Sequence, residues 1–186
     1  INNSISLLDA DKIVKKMSLP GNDYFNEIIN IFGEEILLDN GQINRVKLAN
    51  IIFSDNKRRE ILNKCTYKYV VEEIKKQVKL SKKEIVLIDA PLLIESKLNE
   101  ICDIVISVIA DKETKIKRIC SRDNINEEIA RARIKAQKPD EFYIKNSNYI
   151  VVNNNTNLHI VLYQNSSKLY RHDTDKWTLT EVPNNL

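Results

Sequence analysis

The sequence predicts an α/β fold on a parallel sheet with helices on both sides, and three observations carry that expectation. Glu84-Ile-Val-Leu-Ile-Asp89 and Asp103-Ile-Val-Ile-Ser-Val-Ile109 are nearly continuous apolar, β-branched runs, the pattern of strands covered on both faces. Helical stretches separate them from each other and from a third run over residues 149–152, and such alternation argues for a parallel sheet. Acids stand at the carboxyl ends of the predicted strands, Asp9 and Asp11 at one and Asp89 at another, which is where ligands bind on sheets of this kind.

The elements follow in order. Residues 5–8 are a short strand-like run that ends in Asp9-Ala10-Asp11. Residues 22–32 have helical period and stop at Gly33, and Asn40-Gly41 marks a tight turn before a helix over residues 45–53. One long helix is expected over residues 57–80, with Ile61, Cys65, Val70, Ile74 and Val78 on roughly one side. Further on, Lys115, Arg118 and Arg122 recur at helical spacing, and Asn124-Ile-Asn-Glu127 is a capping-box-like start. Arg131, Lys135 and Lys138 share one helical face, with Arg133 on another. Beyond Asn153-Asn-Asn155 the period changes to two, and residues 158–163 and 169–179 alternate like a β-hairpin that carries Trp177 and both histidines.

Composition narrows the function classes. With 42% hydrophobic and 30% charged residues, the 186-residue chain can bury a core and is no disordered tail. No apolar run approaches the about 20 residues of a membrane span, and no signal-peptide pattern opens the chain, so a cytoplasmic protein that engages no membrane is expected. Cys65, Cys102 and Cys120 are odd in number and lack CxxC spacing, which indicates neither a disulfide framework nor a zinc site. A formal charge of +3 does not argue for nucleic acid, but residues 112–145 hold ten Lys/Arg against six Asp/Glu. A basic patch of that kind suits phosphate-bearing ligands, and a solvated helical face has the same composition. The three glycines, Gly21, Gly33 and Gly41, cannot form GxGxxG or GxxxxGK[ST], so these residues contain no phosphate-cradling glycine loop.

No histidine precedes residue 158. Ser/His and Cys/His nucleophilic sites and histidine metal sites are thereby excluded from the sheet region, and a general base there must be a carboxylate. Asp9 and Asp11, two residues apart at a strand's end, can divide magnesium and proton duties, and either can equally cap the helix that follows. In Asp89-Ala-Pro-Leu-Leu-Ile-Glu95, an acid at a strand tip matches the place where nucleotide kinases hold Mg²⁺ through water. A strand-end Asp also serves as a cap, and Leu92 to Ile94 suit packing as well as recognition. The two basic helices read as a lid that closes positive charge onto phosphates, or as a solvated face.

In order, these segments resemble the dephospho-CoA kinase family. The matching pieces are Leu8-Asp-Ala-Asp11, Phe32-Gly33-Glu-Glu-Ile-Leu, Asp39-Asn-Gly-Gln-Ile-Asn-Arg45 with Leu48, Phe53 and Leu62, then Asp89-Ala-Pro-Leu-Leu-Ile-Glu95, Lys117-Arg118, Arg122-Asp123, Arg133 to Gln137, and Asn153. Together they cover residues 5–155. The resemblance implies a P-loop kinase fold of the adenylate-kinase type over residues 1–157, with a helical substrate-binding insertion at 20–80 and a lid at 112–146. Residues 158–186 form a hairpin-like tail outside the family pattern. The implied reaction moves the γ-phosphoryl of ATP, with Mg²⁺, onto the ribose 3′-hydroxyl of dephospho-CoA, the last step of coenzyme A synthesis. Asp11 matches the base, and Asp9 lies beside it near the metal. Arg118 and Arg122 act on the phosphoryl group; Arg122, Arg133 and Asn153 contact the nucleotide; Arg45, Asp89, Pro91, Leu92 and Leu93 contact the acceptor. A monomer is expected, with an oligomer left open.

The sequence also departs from the family. The family's first strand and glycine-rich loop precede the Asp-Ala-Asp and fall outside these residues, so impaired ATP binding and a sheet split at its centre are expected of the chain. Thr66-Tyr67 stand in place of a His-Pro pair, Tyr143 in place of a lid lysine, and Ser147-Asn148 in place of Ala-Asp. Alternatives from other classes are a non-catalytic remnant that binds a partner through Tyr163, Tyr170 and Trp177, and another small-molecule kinase of the same fold.

Overall fold

The computed structural model describes residues 4–154, together with the backbone of three later strands, His159–Gln164, Lys168–Asp173 and Lys176–Glu181. Two compact units divide the chain, Ile1–Ile101 and Cys102–Leu186.

In the first unit, β1 (Ile5–Asp9) and β2 (Ile85–Asp89) pair in parallel, in a register that runs from Ile5 opposite Ile85 to Asp9 opposite Asp89. The two aspartates therefore stand side by side at the carboxyl edge. Helix α1 (Ala10–Met17) starts at once because Asp9 caps it, its Oδ1 accepting the Lys12 N–H at 2.9 Å. Helix α2 (Asp23–Phe32) ends at Gly33, whose φ of 85° and ψ of 163° suit glycine alone. A Cβ there would lie 2.0 Å from the Glu35 carboxylate.

The Asn40-Gly41 turn forms as expected. Gly41 N–H donates to the Leu38 carbonyl at 2.8 Å, and a bridge between Leu37 and Ile43 closes it. Asn44 then caps α3 (Arg45–Ser54) by accepting the Lys47 N–H, and Asp55 caps α4 (Asn56–Leu80) by accepting from Lys57 and Arg58.

Helix α4 holds two apolar clusters together. Ile74 and Val70 pack with Leu8, Ala10, Ile13 and Leu98 against the inner face of the sheet, while Cys65 joins Tyr24, Ile28, Phe32 and Ile36. The single stripe expected of this helix is thus corrected to two faces. At 3.6 residues per turn, Cys65 and Ile74 are about half a turn apart. Ile61 belongs to neither cluster and is 46% exposed.

Burial of the strands on both faces is also corrected. Val86 and Ile88 turn inward against the cluster, but Ile85 and Leu87 are 56% and 52% exposed. Only the face that meets α1 and α4 is covered within this unit, so a continuous apolar run here has a period-two burial pattern.

In the second unit, β3 (Ile106–Ile109) and β4 (Tyr149–Val152) pair in parallel across α5 (Lys112–Asp123), α6 (Glu127–Lys135) and α7 (Asp140–Lys145). Asp111 caps α5 by accepting the Thr114 N–H; the start expected at Asn124 is corrected, since Asn124 ends α5 in the left-handed conformation and Asn126 caps α6 by accepting the Ile129 N–H. Ile116, Ala130 and Ile150 are completely buried, whereas Ile106 and Val108 are 55% and 65% exposed. The strand β4 continues antiparallel into β5 (His159–Gln164), β6 (Lys168–Asp173) and β7 (Lys176–Glu181). The side chains of Tyr163, Tyr170 and Trp177 lie outside the described residues. Among the described residues, no helix is long and apolar enough to cross a membrane. The class is α/β with parallel strands, as the sequence predicts.

Candidate functional site

The carboxyl edge of β1 and β2 opens into a cavity of about 420 Å³ lined by Asp9, Asp11, Lys12, Val14, Lys15, Arg45, Asp89 and Pro91. A second cavity, of about 100 Å³, has walls of Ala10, Val14, Val70, Ala90, Pro91, Leu92 and Leu98, with Thr66, Tyr67 and Ser96 as its hydroxyl groups. Asp11, Val14 and Pro91 line both. One carboxylate therefore stands where a charged chamber meets an apolar one.

The two acids of the Asp-Ala-Asp are held differently. Asp9 is the helix cap, and its second oxygen pairs with Lys12 Nζ at 3.0 Å. The Lys12 backbone N–H, followed by the Lys12 ammonium, holds its carboxyl below the usual range. Asp11, in the first turn of α1, is exposed, and its carboxylate makes no hydrogen bond or ion pair among the described residues. Of the two acids the sequence offers as caps, Asp9 is the cap, and the Asp11 carboxylate is left without a partner among the described residues. Asp89 is exposed at the tip of β2 opposite Asp9.

Around them, the start of α3 delivers Arg45 to the larger cavity. Leu92 lines the smaller one, whereas Leu93 packs into the core and lines neither. Its carbonyl accepts from Ser96 Oγ at 3.1 Å and from the Leu98 N–H at 2.9 Å, which holds the chain after Pro91 in a compact turn. Thr66 Oγ1 donates to the Leu62 carbonyl at 2.8 Å and lies 2.9 Å from the Tyr24 hydroxyl. Burial, then the Glu95 carboxylate, raises the Tyr67 phenol above its ordinary range.

Sequence reasoning missed Lys12, Lys15, Thr66, Tyr67 and Ser96 as lining residues. A signal existed for Lys15, which lies four residues after Asp11 and so on the same helical face. None existed for Thr66 and Tyr67, whose approach depends on how α4 packs.

In the second unit the basic residues are already engaged. Arg118 donates to the Asn153 carbonyl at 2.7 Å and to its side-chain oxygen at 3.1 Å, and the Asn153 N–H donates to the Ile109 carbonyl at 2.8 Å. These two predicted residues are thus brought together at the carboxyl ends of β3 and β4. Arg122 makes a forked pair with Asp123, and Arg133 bonds the same carboxylate. Arg122 first, then Arg133, lowers the Asp123 pKa. Arg131 is shared by Glu113 and Glu127. Arg122, Arg131 and Arg133 are therefore neutralised by neighbouring acids in this structure, whereas Arg118 is held by the neutral Asn153.

Among the described residues, no group of three or more His, Cys, Asp or Glu could hold a metal ion by itself. Asp9 and Asp89 nonetheless fit Mg²⁺, which takes one or two carboxylates and draws its other ligands from water and phosphate oxygens. Cys65, Cys102 and Cys120 form no disulfide, and burial together with Glu27 pushes the Cys65 thiol up to about 11, as suits a packing residue.

Comparison with known proteins gives a consistent result. The sequence model of the family described as dephospho-CoA kinase matches residues 2–159. A dephospho-CoA kinase of Listeria monocytogenes is 41% identical over 153 residues, which cover 81% of this chain and 76% of that protein. One from Bacillus anthracis is 36% identical over 156 residues, covering 82% and 78%. A solved dephospho-CoA kinase from Campylobacter jejuni superposes with a TM-score of 0.55 at 28% identity, over 82% of this chain and 77% of that one. A Thermus thermophilus crystal structure shares the fold, with a TM-score of 0.67 at 23% identity over the same shares. From the model match and the identity to these relatives, the chain belongs to the dephospho-CoA kinase family.

Proposed function

We propose that the protein transfers the γ-phosphoryl group of ATP to the ribose 3′-hydroxyl of dephospho-CoA, giving coenzyme A and ADP. The observation that carries this reading is the position of Asp11, an unengaged carboxylate at the junction of a charged and an apolar cavity. An acceptor with an apolar group in the smaller cavity, against Pro91 and Leu92, would present its hydroxyl to Asp11. Asp11 then takes the hydroxyl proton as the oxygen attacks phosphorus, and the bond from phosphorus to the ADP oxygen breaks.

Charge compensation is the rest of the task, because phosphoryl transfer is catalysed mostly by positioning and electrostatics. Arg45, Lys12 and Lys15 bring positive charge to the chamber of Asp11. Arg118 and Arg122 act on the transferred group, and Arg122, Arg133 and Asn153 hold the nucleotide, with Asp123 giving way as phosphate oxygens replace it. Asp9, with Asp89 beside it, would hold Mg²⁺, which offsets the charge of the phosphates. In this reading residues 20–80 are the acceptor-binding insertion, residues 112–146 are the lid, and residues 158–186 lie outside the catalytic domain. The enzyme is a cytoplasmic monomer.

The test is ADP release coupled to dephospho-CoA, with coenzyme A detected by mass spectrometry, on protein made from the complete reading frame. Dephospho-CoA-dependent ADP release with stoichiometric coenzyme A is expected. ATP binding without any coenzyme A formed would overturn the assignment.

A further inference from the structure

The basic segment of the second unit has charge left over once its ion pairs are formed. Arg131 takes Glu113 and Glu127, Arg122 and Arg133 share Asp123, and Lys115 takes Asp140. Lys112, Lys135 and Lys138 bond no carboxylate among the described residues; Lys138 has only the Phe142 ring, 5.7 Å from its Nζ. These three line one cavity of about 400 Å³ between the first turn of α5 and the end of α6, a size within the usual small-ligand range of about 300–1,000 Å³. Lys115 lines it too, and the sole acid in the lining, Asp140, is the one Lys115 already neutralises.

We infer that this lysine-lined cavity is a binding site for an oligophosphate group, separate from the arginines assigned to phosphoryl transfer. The three ammonium groups without an acid partner, those of Lys112, Lys135 and Lys138, repel one another around one opening, and a multiply charged anion between them relieves that repulsion. Lysine supports phosphate rather than carboxylate here, because it acts as a point charge and lacks the planar fork that matches carboxylate bidentately. The end of α5 is not the source of the site, since Asp111 already accepts the Thr114 N–H there. Gln137 adds an amide that can donate to a phosphate oxygen. Two phosphate-bearing molecules could supply the group, a nucleoside triphosphate or coenzyme A. The inference does not depend on the proposed reaction, because binding is read without turnover.

Calorimetric titration with inorganic tripolyphosphate tests it, on the full chain, the Lys112→Gln/Lys138→Gln protein and the Lys76→Gln protein, with circular dichroism to confirm folding. Saturable binding that weakens as salt rises is expected. The double lysine variant should lose about tenfold or more in affinity, the equivalent of about 1.4 kcal/mol, while Lys76→Gln, at an exposed lysine outside both sites, changes little. Displacement by ATP assigns the site to the triphosphate, and displacement by coenzyme A assigns it to that molecule. Unchanged affinity in the double lysine variant, or no saturable binding by the unaltered protein, would overturn the inference.

Discussion

The cleft of the first unit and the basic helices of the second treat charge in opposite ways. In the cleft, Asp11 and Asp89 stand without an ion pair among the described residues, while Asp9 is committed to a helix cap. On the basic helices, the arginines that suit phosphate are paired with Asp123, Glu113 and Glu127. The difference teaches that the acidic side leaves carboxylates without partners, whereas Arg122, Arg131 and Arg133 on the basic side must exchange partners before they can hold an anion. The carboxylates are placed by the end of β1, the tip of β2 and the first turn of α1, and only Asp9 among them has a side-chain partner, Lys12. Long arginines on helices, by contrast, find acids one to four residues away, or on the adjoining helix.

The sharpest way to break this contrast is Asp11→Asn. If Asp11 is the free base of the cleft, coenzyme A formation should fall by about 10²–10⁴-fold, with the KM for ATP nearly unchanged; steady-state assays of both substrates check this. A loss smaller than tenfold would remove Asp11 from that role.

Core truncation tests whether each site rests on its own support. Ile74→Ala, beneath the cleft, and Ile116→Ala, beneath the basic helices, remove side chains that are completely buried, and each should cost about 2–5 kcal/mol in urea unfolding. Ile74→Ala should also raise the KM for dephospho-CoA, which Ile116→Ala should leave alone.

Asp123→Asn addresses the self-neutralised side directly. With Arg122 and Arg133 released, ATP should bind about two- to fivefold more tightly at low salt, and the gain should fade as salt screens it. Weaker binding in a titration would show instead that Asp123 orients the arginines.

Smaller effects sharpen the backbone half of the comparison. Asn44→Ala removes the cap of the helix that begins with Arg45, at a cost of about 1 kcal/mol, readable in thermal unfolding. The acid limb of stability follows from depressed carboxyl groups. Asp9, through the Lys12 N–H, Asp111, through the Thr114 N–H, and Asp123, through Arg122, all have lowered pKa values. Their stabilisation is present above the unfolded value of about 3.9 and is lost as pH falls through the lower folded values. The melting temperature should therefore decline only below about pH 4, and scanning fluorimetry from pH 7 to 3 would reveal an earlier loss.

Much of this was legible in the chain itself. Helix starts after Asp9 and Asn44, the stop at Gly33 and the Asn40-Gly41 turn are local chemistry, so adjacent residues suffice to place them, whereas the run from Asn124 to Glu127 holds two asparagines and the one that caps is Asn126. Asp11 was legible as a candidate, but its freedom was not, because the sequence cannot say which of two neighbouring acids becomes the cap. Leu93 looked equivalent to Leu92, yet the turn after Pro91 buries one and leaves the other at the cavity wall. Arg122 and Arg133 read as free cations because their common partner, Asp123, is ten residues from one of them.

The sequence by itself determined the α/β class and the ordered motifs that mark the family, since each depends on short-range period and punctuation. Tertiary structure alone decided that Asp9 meets Asp89, that α4 serves two clusters with opposite faces, and that three lysines without ion pairs share one cavity. These are register, helix rotation and ion pairing across long separations, and they are set by which surfaces pack together rather than by any local run of residues.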